Sequence, residues 1–190
     1  MKVTAFNGSP RKNGNTFLLL KTVCDVLERE GIETEIVHVG DRNIHGCTAC
    51  GKCREDGNTR CVFNDDIVNE AIGKIENSDG VILGSPVYFA DLSSQMKAFI
   101  DRVGYAGRPN GIFKRKPCAS VVAVRRNGAI AAFNAMNNLF TISEGIVVGS
   151  TYWNQGIGRL LGEVEKDAEG IKTMQDLGEN MAWLLKKLSK

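Results

Sequence analysis

Val3-Thr4-Ala5-Phe6-Asn7-Gly8-Ser9-Pro10-Arg11-Lys12-Asn13-Gly14-Asn15-Thr16 runs from a short apolar segment through a polar turn and directly into a helix. The run Val3–Phe6 is apolar and ends at Gly8, which predicts a buried strand. Beyond the turn, Leu20, Val23, Cys24 and Leu27 recur at helical spacing, while Lys21, Asp25 and Glu28 fall on other faces. Gly31 supplies the stop, because the residue after a helix usually needs left-handed geometry. Cys24 is expected in the core on that helix's buried stripe.

The same alternation continues downstream. Ile36–Val39 reads as a part-polar strand at a sheet edge, followed by a cysteine-rich loop. Ile67, Ala71 and Ile75 mark a second helix, with Asn64 or Asp65 as its cap. Gly80–Gly84 is apolar throughout, as suits a strand covered on both faces. Met96, Phe99, Ile100 and Val103 stripe a third helix capped by Ser93 or Ser94. A fourth strand spans Ala119–Val124, with Cys118 packed at its start; Phe133, Met136 and Phe140 back a fourth helix. Ile146–Val148 gives a fifth strand, and Met174, Leu177, Met181, Leu184 and Leu188 a last helix. Five strands alternating with five helices imply an α/β fold: one parallel sheet with helices on both faces. Ligands in such folds bind beyond the carboxyl ends of the strands, near the point where strand order reverses.

With 190 residues and no Pro/Gly/Ser linker, residues 1–190 are expected to form a single domain, with a cysteine-rich loop, 42–64, inserted after strand two. No apolar run approaches the roughly 18 residues of a membrane span. The charge of +2 is spread along the chain, which argues against a nucleic-acid surface, and Lys114-Arg115-Lys116 reads as a solvated loop. Met1–Phe6 leads straight into a turn rather than forming a signal peptide, so a cytoplasmic location is expected. His38 and His45 lie near no serine elbow, and Cys24 and Cys118 lack an evident base; a hydrolase or thiol catalyst is unsupported.

Three post-strand loops carry the binding chemistry. Gly8–Thr16 ends at a helix N-terminus, a ready anion site. Five residues separate Gly8 from Gly14 and no Lys follows, so the loop is neither a Walker A motif nor a dinucleotide fingerprint; it suits a single phosphomonoester. Ser85-Pro86-Val87-Tyr88-Phe89 offers aromatics and free N–H groups to a flat heterocycle. Arg125-Arg126-Asn127-Gly128 adds positive charge at a ring edge. Together they describe a mononucleotide with a large flat base, FMN.

Asn7-Gly8-Ser9-Pro10-Arg11, Gly14-Asn15-Thr16, Gly84–Phe89 and Lys97-x-Phe99-x-Asp101-Arg102 resemble the NADPH-dependent FMN reductase family of flavodoxin-like proteins. The resemblance implies a doubly wound sandwich with strand order 2-1-3-4-5. It implies that Ser9, Arg11, Asn13, Asn15 and Thr16 bind the FMN phosphate, and that Pro86, Val87, Tyr88 and Phe89 contact the isoalloxazine. Arg126, Asn127 and Gly128 complete the expected site. It also implies NAD(P)H as a possible electron donor, small-molecule or protein electron donors and acceptors, and a homodimer or homotetramer.

Cys47, Cys50, Cys53 and Cys61 form a C-x₂-C-x₂-C-x₇-C pattern. Clustered cysteines without a secretory context read first as a metal site, and this spacing is more compact than that of paired zinc knuckles. Successive intervals of three are akin to ferredoxin loops. The pattern resembles the iron–sulfur flavoprotein branch of the same superfamily, which implies that these four cysteines ligate a 4Fe–4S cluster. Two alternatives remain open: a cluster-free NAD(P)H-dependent FMN or quinone reductase, and a non-enzymatic zinc-binding docking module.

Overall fold

The computed structural model describes residues 1–55 and 58–189. Positions 56 and 57 of the expected 42–64 loop, and position 190, lie outside the described residues. In chain order the elements are β1 (Lys2–Asn7), α1 (Asn15–Arg29), β2 (Glu33–His38), α2 (Val68–Glu76), β3 (Gly80–Pro86) and α3 (Ser94–Gly107). Then come β4 (Pro117–Val124), α4 (Ala129–Ile142), β5 (Ile146–Val147), β6 (Gln155–Ile157) and α5 (Ala168–Leu188).

The strands pair in parallel in the order β2-β1-β3-β4-β5, the doubly wound order expected. Every residue of β4 and all of β3 except Pro86 is buried, as sheet centres covered on both faces require. β2, at the edge, is mostly half-buried. Side chains alternate between two cores: Phe6, Val81, Leu83 and Val122 pack with α2, α3 and α4, while Val3, Ala5, Ile82 and Val121 pack with α1 and α5. Cys24 and Cys118 are buried in these cores, as their spacing predicts.

The fifth strand differs from expectation. β5 stops at Val147, and β6 takes the outer half of the same edge, pairing Val122 with Gln155 while Pro117 pairs with Ile146. The ladder still catches Val148 N–H on the Cys118 carbonyl (2.8 Å) and Val122 N–H on the Asn154 carbonyl (2.9 Å). The residues between loop out because Ser150 Oγ bonds to the Tyr152 carbonyl and to Asn154 Oδ1 (2.7 and 2.6 Å), closing a local turn.

Two cap assignments resolve differently. Ser93 caps α3, accepting from Met96 N–H at 3.2 Å. At α2 the acceptor is Asp66, taking Val68 N–H at 3.1 Å, rather than Asn64 or Asp65. Lys116 is half-buried, not solvated: its Nζ donates to the Ile75 and Glu76 carbonyls (2.6 and 3.1 Å) at the C-terminal end of α2. Leu188, at the end of the α5 stripe, is exposed.

Candidate functional site

The turn after β1 is held by its own first residue. Asn7 is buried; its Oδ1 accepts Ser9 N–H (3.0 Å) and its Nδ2 donates to the Lys12 carbonyl (3.1 Å). Gly8 N–H donates to the Gly84 carbonyl (2.8 Å), and Ser93 Oγ donates to the Gly8 carbonyl (2.7 Å). His38 Nε2 donates to the Ser9 carbonyl (2.6 Å), with Asp41 3.3 Å from Nδ1. β1, β3, α3 and β2 therefore all fix this turn. Gly14 then caps α1 in extended geometry with no side-chain bond, and no acidic residue stands in the first turn. The first N–H groups of a helix have no intrahelical partner, so the turn presents donors and the positive end of α1 together.

A cleft of about 200 Å³ opens above this turn. Of the expected residues, Ser9, Arg11, Asn15, Thr16, Pro86, Val87 and Tyr88 line it. Asn13, Phe89, Arg126, Asn127 and Gly128 are not in its lining, which instead includes Arg125, Gly158 and Arg159. Arg11, Arg125 and Arg159 place three cations around one cleft, a charge distribution that suits a phosphomonoester. Asn15 Nδ2 is committed to the Leu160 carbonyl (2.9 Å), whereas its buried Oδ1 has no protein partner. A buried acceptor left without a donor fits a ligand bearing hydroxyls beside its phosphate, as FMN does in its ribityl chain.

The expected site takes Arg126 from the charged Arg125-Arg126 pair, whereas the cleft takes Arg125, and Arg159 is a lining residue that the expected site lacks. Arg159 follows β6, which the five-strand reading lacked; Gly156-Ile157-Gly158 was its only local signal.

Tyr88 and Asp91 exchange backbone hydrogen bonds (2.8 and 3.0 Å) across a two-residue turn. Both turn residues, Phe89 and Ala90, have positive φ (47° and 62°), the type I′ pattern that normally takes Asn-Gly. The turn leaves Phe89 fully exposed. Gly128 packs beneath it: a Cβ there would meet Ala90 Cα at 2.6 Å.

All four loop cysteines line a second, smaller pocket with Gly51, Phe63, Arg102 and Tyr105. Gly51 and Ala49 both adopt positive φ (77° and 53°), which curls the loop. Ala49 N–H donates to Cys47 Sγ at 3.4 Å. Cys53 is buried, and burial pushes its thiol pKa up, with Cys61 and Cys50 close enough to add to the shift. Cys61 is gripped from two helices. Asn69 of α2 accepts its N–H (2.8 Å) and donates to its carbonyl (2.9 Å). Arg102 of α3 donates Nε–H to its Sγ (3.3 Å). Arg102 is fully buried and ion-paired with Asp66, and its guanidinium also bonds the carbonyls of Phe63 (3.2 Å) and His45 (3.5 Å). Burial works against its charge, but Asp66 and Cys61 outweigh burial and raise its pKa. His45 is exposed, stacked on Phe63 and 3.2 Å from Asp65. Among the described residues, no three His, Cys, Asp or Glu groups stand close enough to share a single ion. A thiol-only donor set around one pocket fits an iron–sulfur cluster, whose cysteines bind separate irons.

A doubly wound sheet with an anion-binding first turn and a cationic cleft at its switch point is the architecture of a flavin-mononucleotide redox protein. The chain belongs to the NADPH-dependent FMN reductase family, whose sequence model matches residues 1–158. It is an FMN-binding oxidoreductase, and as such exchanges electrons with a donor and an acceptor. An iron–sulfur flavoprotein of Methanocaldococcus jannaschii is 36% identical over 200 residues, covering 100% of both chains. One of Archaeoglobus fulgidus is 38% identical over 184 residues, covering 96% of this chain and 79% of the relative. Among solved structures, RosB with a bound 8-demethyl-8-formylriboflavin-5'-phosphate intermediate superposes with a TM-score of 0.77 at 18% identity, over 100% of this chain and 80% of that one. A flavodoxin from the domain Archaea gives 0.64 at 10% identity, over 98% and 99%. These two likenesses concern the fold. No helix among the described residues is long and apolar enough to cross a membrane.

Proposed function

We propose that this protein is an iron–sulfur flavoprotein: FMN lies in the cleft after β1, β3 and β4, and Cys47, Cys50, Cys53 and Cys61 hold one 4Fe–4S cluster. The observation that carries the reading is the convergence of all four cysteines on one pocket, with the Arg102 N–H directed at Cys61 Sγ. The names of the curated relatives point the same way. Residues 1–190 act as one FMN-binding domain, and the 42–64 loop is its cluster-bearing insertion.

A bound flavin supplies two-electron chemistry and a bound cluster one-electron chemistry, so the pair links a two-electron donor such as NAD(P)H to a one-electron acceptor. The protein's part is to bind and orient. Ser9, Arg11, Thr16 and the first N–H groups of α1 neutralise the phosphate. Asn15 Oδ1 takes a ribityl hydroxyl. Pro86, Val87 and Tyr88 form one wall for the ring, and Arg125 brings positive charge to the ring side of the cleft. Asn13, Phe89, Arg126, Asn127 and Gly128 act from the rim, Gly128 by seating the Tyr88–Asp91 turn. Asn69 and Arg102 orient Cys61.

Oligomerisation to a dimer or tetramer is part of the proposal, because Tyr152, Trp153 and Trp183 stand half-exposed or more and aromatic anchors favour interfaces. A cytoplasmic location is the companion expectation.

The test is anaerobic purification followed by absorption spectroscopy, iron and acid-labile sulfide analysis, and chromatography of the heat-released cofactor. One FMN with about four irons and four sulfides per chain is the expected result. Predominant FAD refutes the flavin assignment. Zinc or no metal refutes the cluster and leaves the cluster-free reductase.

A further inference from the structure

The Arg102–Asp66 pair stands out because it lies beside a thiol rather than in a surface network. Side-chain exposure is 0% for Arg102 and 2% for Asp66. Burying a charge is costly unless it is paired and hydrogen-bonded, and replacing such a pair by apolar residues is often neutral or stabilising. A buried pair is therefore weak grounds for a purely stabilising role. The guanidinium uses its whole fork: Asp66 on Nη1, Cys61 Sγ on Nε, and the Phe63 carbonyl on Nη2, with the His45 carbonyl also near Nη1. Three of these partners, His45, Cys61 and Phe63, lie within the cysteine loop. Among the described residues, Asp66 supplies the one carboxylate in contact with the Arg102 fork.

We propose that Arg102 is a positioning residue for Cys61 that also sets the reduction potential of the cluster, with Asp66 as its counterweight. The proposal rests on the cluster reading above. Hydrogen bonds to cluster sulfurs and net local charge are the protein's means of tuning such centres. One-electron reduction makes the cluster more negative. A cation donating N–H to a ligand sulfur favours the reduced form and raises the potential; a buried carboxylate next to that cation lowers it. The two residues therefore pull in opposite directions. No bond to either residue forms or breaks; one electron enters from the reductant.

The opposition gives a signature that a merely structural pair lacks. Holoprotein with full FMN is titrated with dithionite against redox dyes, and the potential is read from the cluster's absorption and its paramagnetic resonance signal. Arg102→Met loses both the N–H and the cation, so the potential falls; a tenfold change in the reduction equilibrium reads as about 59 mV for one electron. Asp66→Asn keeps the shape and an acceptor oxygen but removes the counter-charge, so the potential rises by a comparable factor. Arg102→Lys keeps the charge but cannot reach all its partners, so the potential falls by less. If Arg102→Met fails to fold or loses iron, Arg102→Lys against Asp66→Asn decides the matter by their opposite signs. Full iron with unmoved potentials, or shifts of the same sign in both sets, overturns the tuning role. Wild-type protein without iron refutes the cluster reading itself and the tuning role with it, an outcome distinguished by metal analysis before any variant is made.

Discussion

Gly40→Ala should weaken FMN binding through backbone crowding alone. Gly40 follows β2 and is buried against the turn after β1; its N–H and that of Val39 both donate to the Asn7 carbonyl (3.0 and 2.9 Å). A Cβ on Gly40 would lie 2.1 Å from the Ser9 carbonyl oxygen, 2.2 Å from Ser9 C and 2.5 Å from Gly8 C. All three are backbone atoms, so no rotamer change relieves the clash. The turn must retreat by roughly 1.5 Å to reach ordinary contact, which also strains the His38 bond to the Ser9 carbonyl. Overpacking of this kind costs about 1–3 kcal/mol of stability. Losing one charge-assisted contact to the phosphate costs a further ~1.5–3 kcal/mol of binding, or roughly tenfold to a hundredfold in Kd. Titration of apoprotein with FMN, followed by quenching of flavin fluorescence, measures the affinity; thermal melting of the apoprotein measures the fold. Gly31→Ala is the control. Its φ of 77° strains an alanine, but its Cβ would meet nothing within 4 Å, so stability falls by about 1 kcal/mol while FMN affinity holds. A folded Gly40→Ala protein with FMN affinity within twofold of the unaltered chain would refute the assignment of this turn to the phosphate.

Burial raises the thiol pKa of both Cys24 and Cys118 to about 12, so iodoacetamide at pH 8 should leave them unmodified in native protein and label them after denaturation, as read by peptide mass spectrometry. The same shifts make stability decline as pH climbs above about 8.5, since the unfolded chain releases protons that the fold retains; a denaturation midpoint that rises from pH 8 to pH 10 contradicts this. Ala90→Gly removes a left-handed non-glycine residue from the Tyr88–Asp91 turn and should stabilise by about 1 kcal/mol. A lower melting temperature in that variant would show that the Ala90 methyl contributes more by packing near Gly128 than it costs in strain.

The sheet is legible in the sequence because its central strands are short apolar runs, those of β1 and β3 stopping at or near a glycine, and because the helices repeat apolar residues at one spacing. Residues near β1 and β3 that line the cleft were legible for the same reason: they follow strands directly. What stayed hidden depends on contacts distant in sequence. Asn15 read as a phosphate donor, but its amide nitrogen is held by the Leu160 carbonyl, 145 positions away. β6 is three residues long, and what recruits it is the free edge of β4 and the cap of α5, where Asp167 accepts both Gly170 N–H and Ile157 N–H (3.0 and 2.6 Å). Neither period nor propensity marks so short a segment. Arg102 carries a family resemblance but no assigned role, because its partners, from His45 to Asp66, lie 36 to 57 positions earlier in the loop and just beyond it.

α3 touches both the turn after β1 and the cysteine loop. Its cap, Ser93, bonds the Gly8 carbonyl in the nucleotide turn, and Arg102, farther along the same helix, bonds Cys61. At about 1.5 Å of rise per residue, those two contacts lie roughly 13 Å apart along a rigid axis. Met96, Phe99 and Val103 anchor that axis in the core, fully buried. The turn after β1 and the cysteine loop, whose described residues include the short 3-10 turn Lys52–Arg54, are each tied to the same helix by a polar side chain. Packed elements move as units, whereas loops accommodate individually. A change that tilts α3 must therefore disturb both loops, while a change confined to Ser93 or to Arg102 should disturb one. The relative placement of the turn after β1 and the cysteine loop is therefore a property of the core beneath α3, although β2 separates the two segments in the chain.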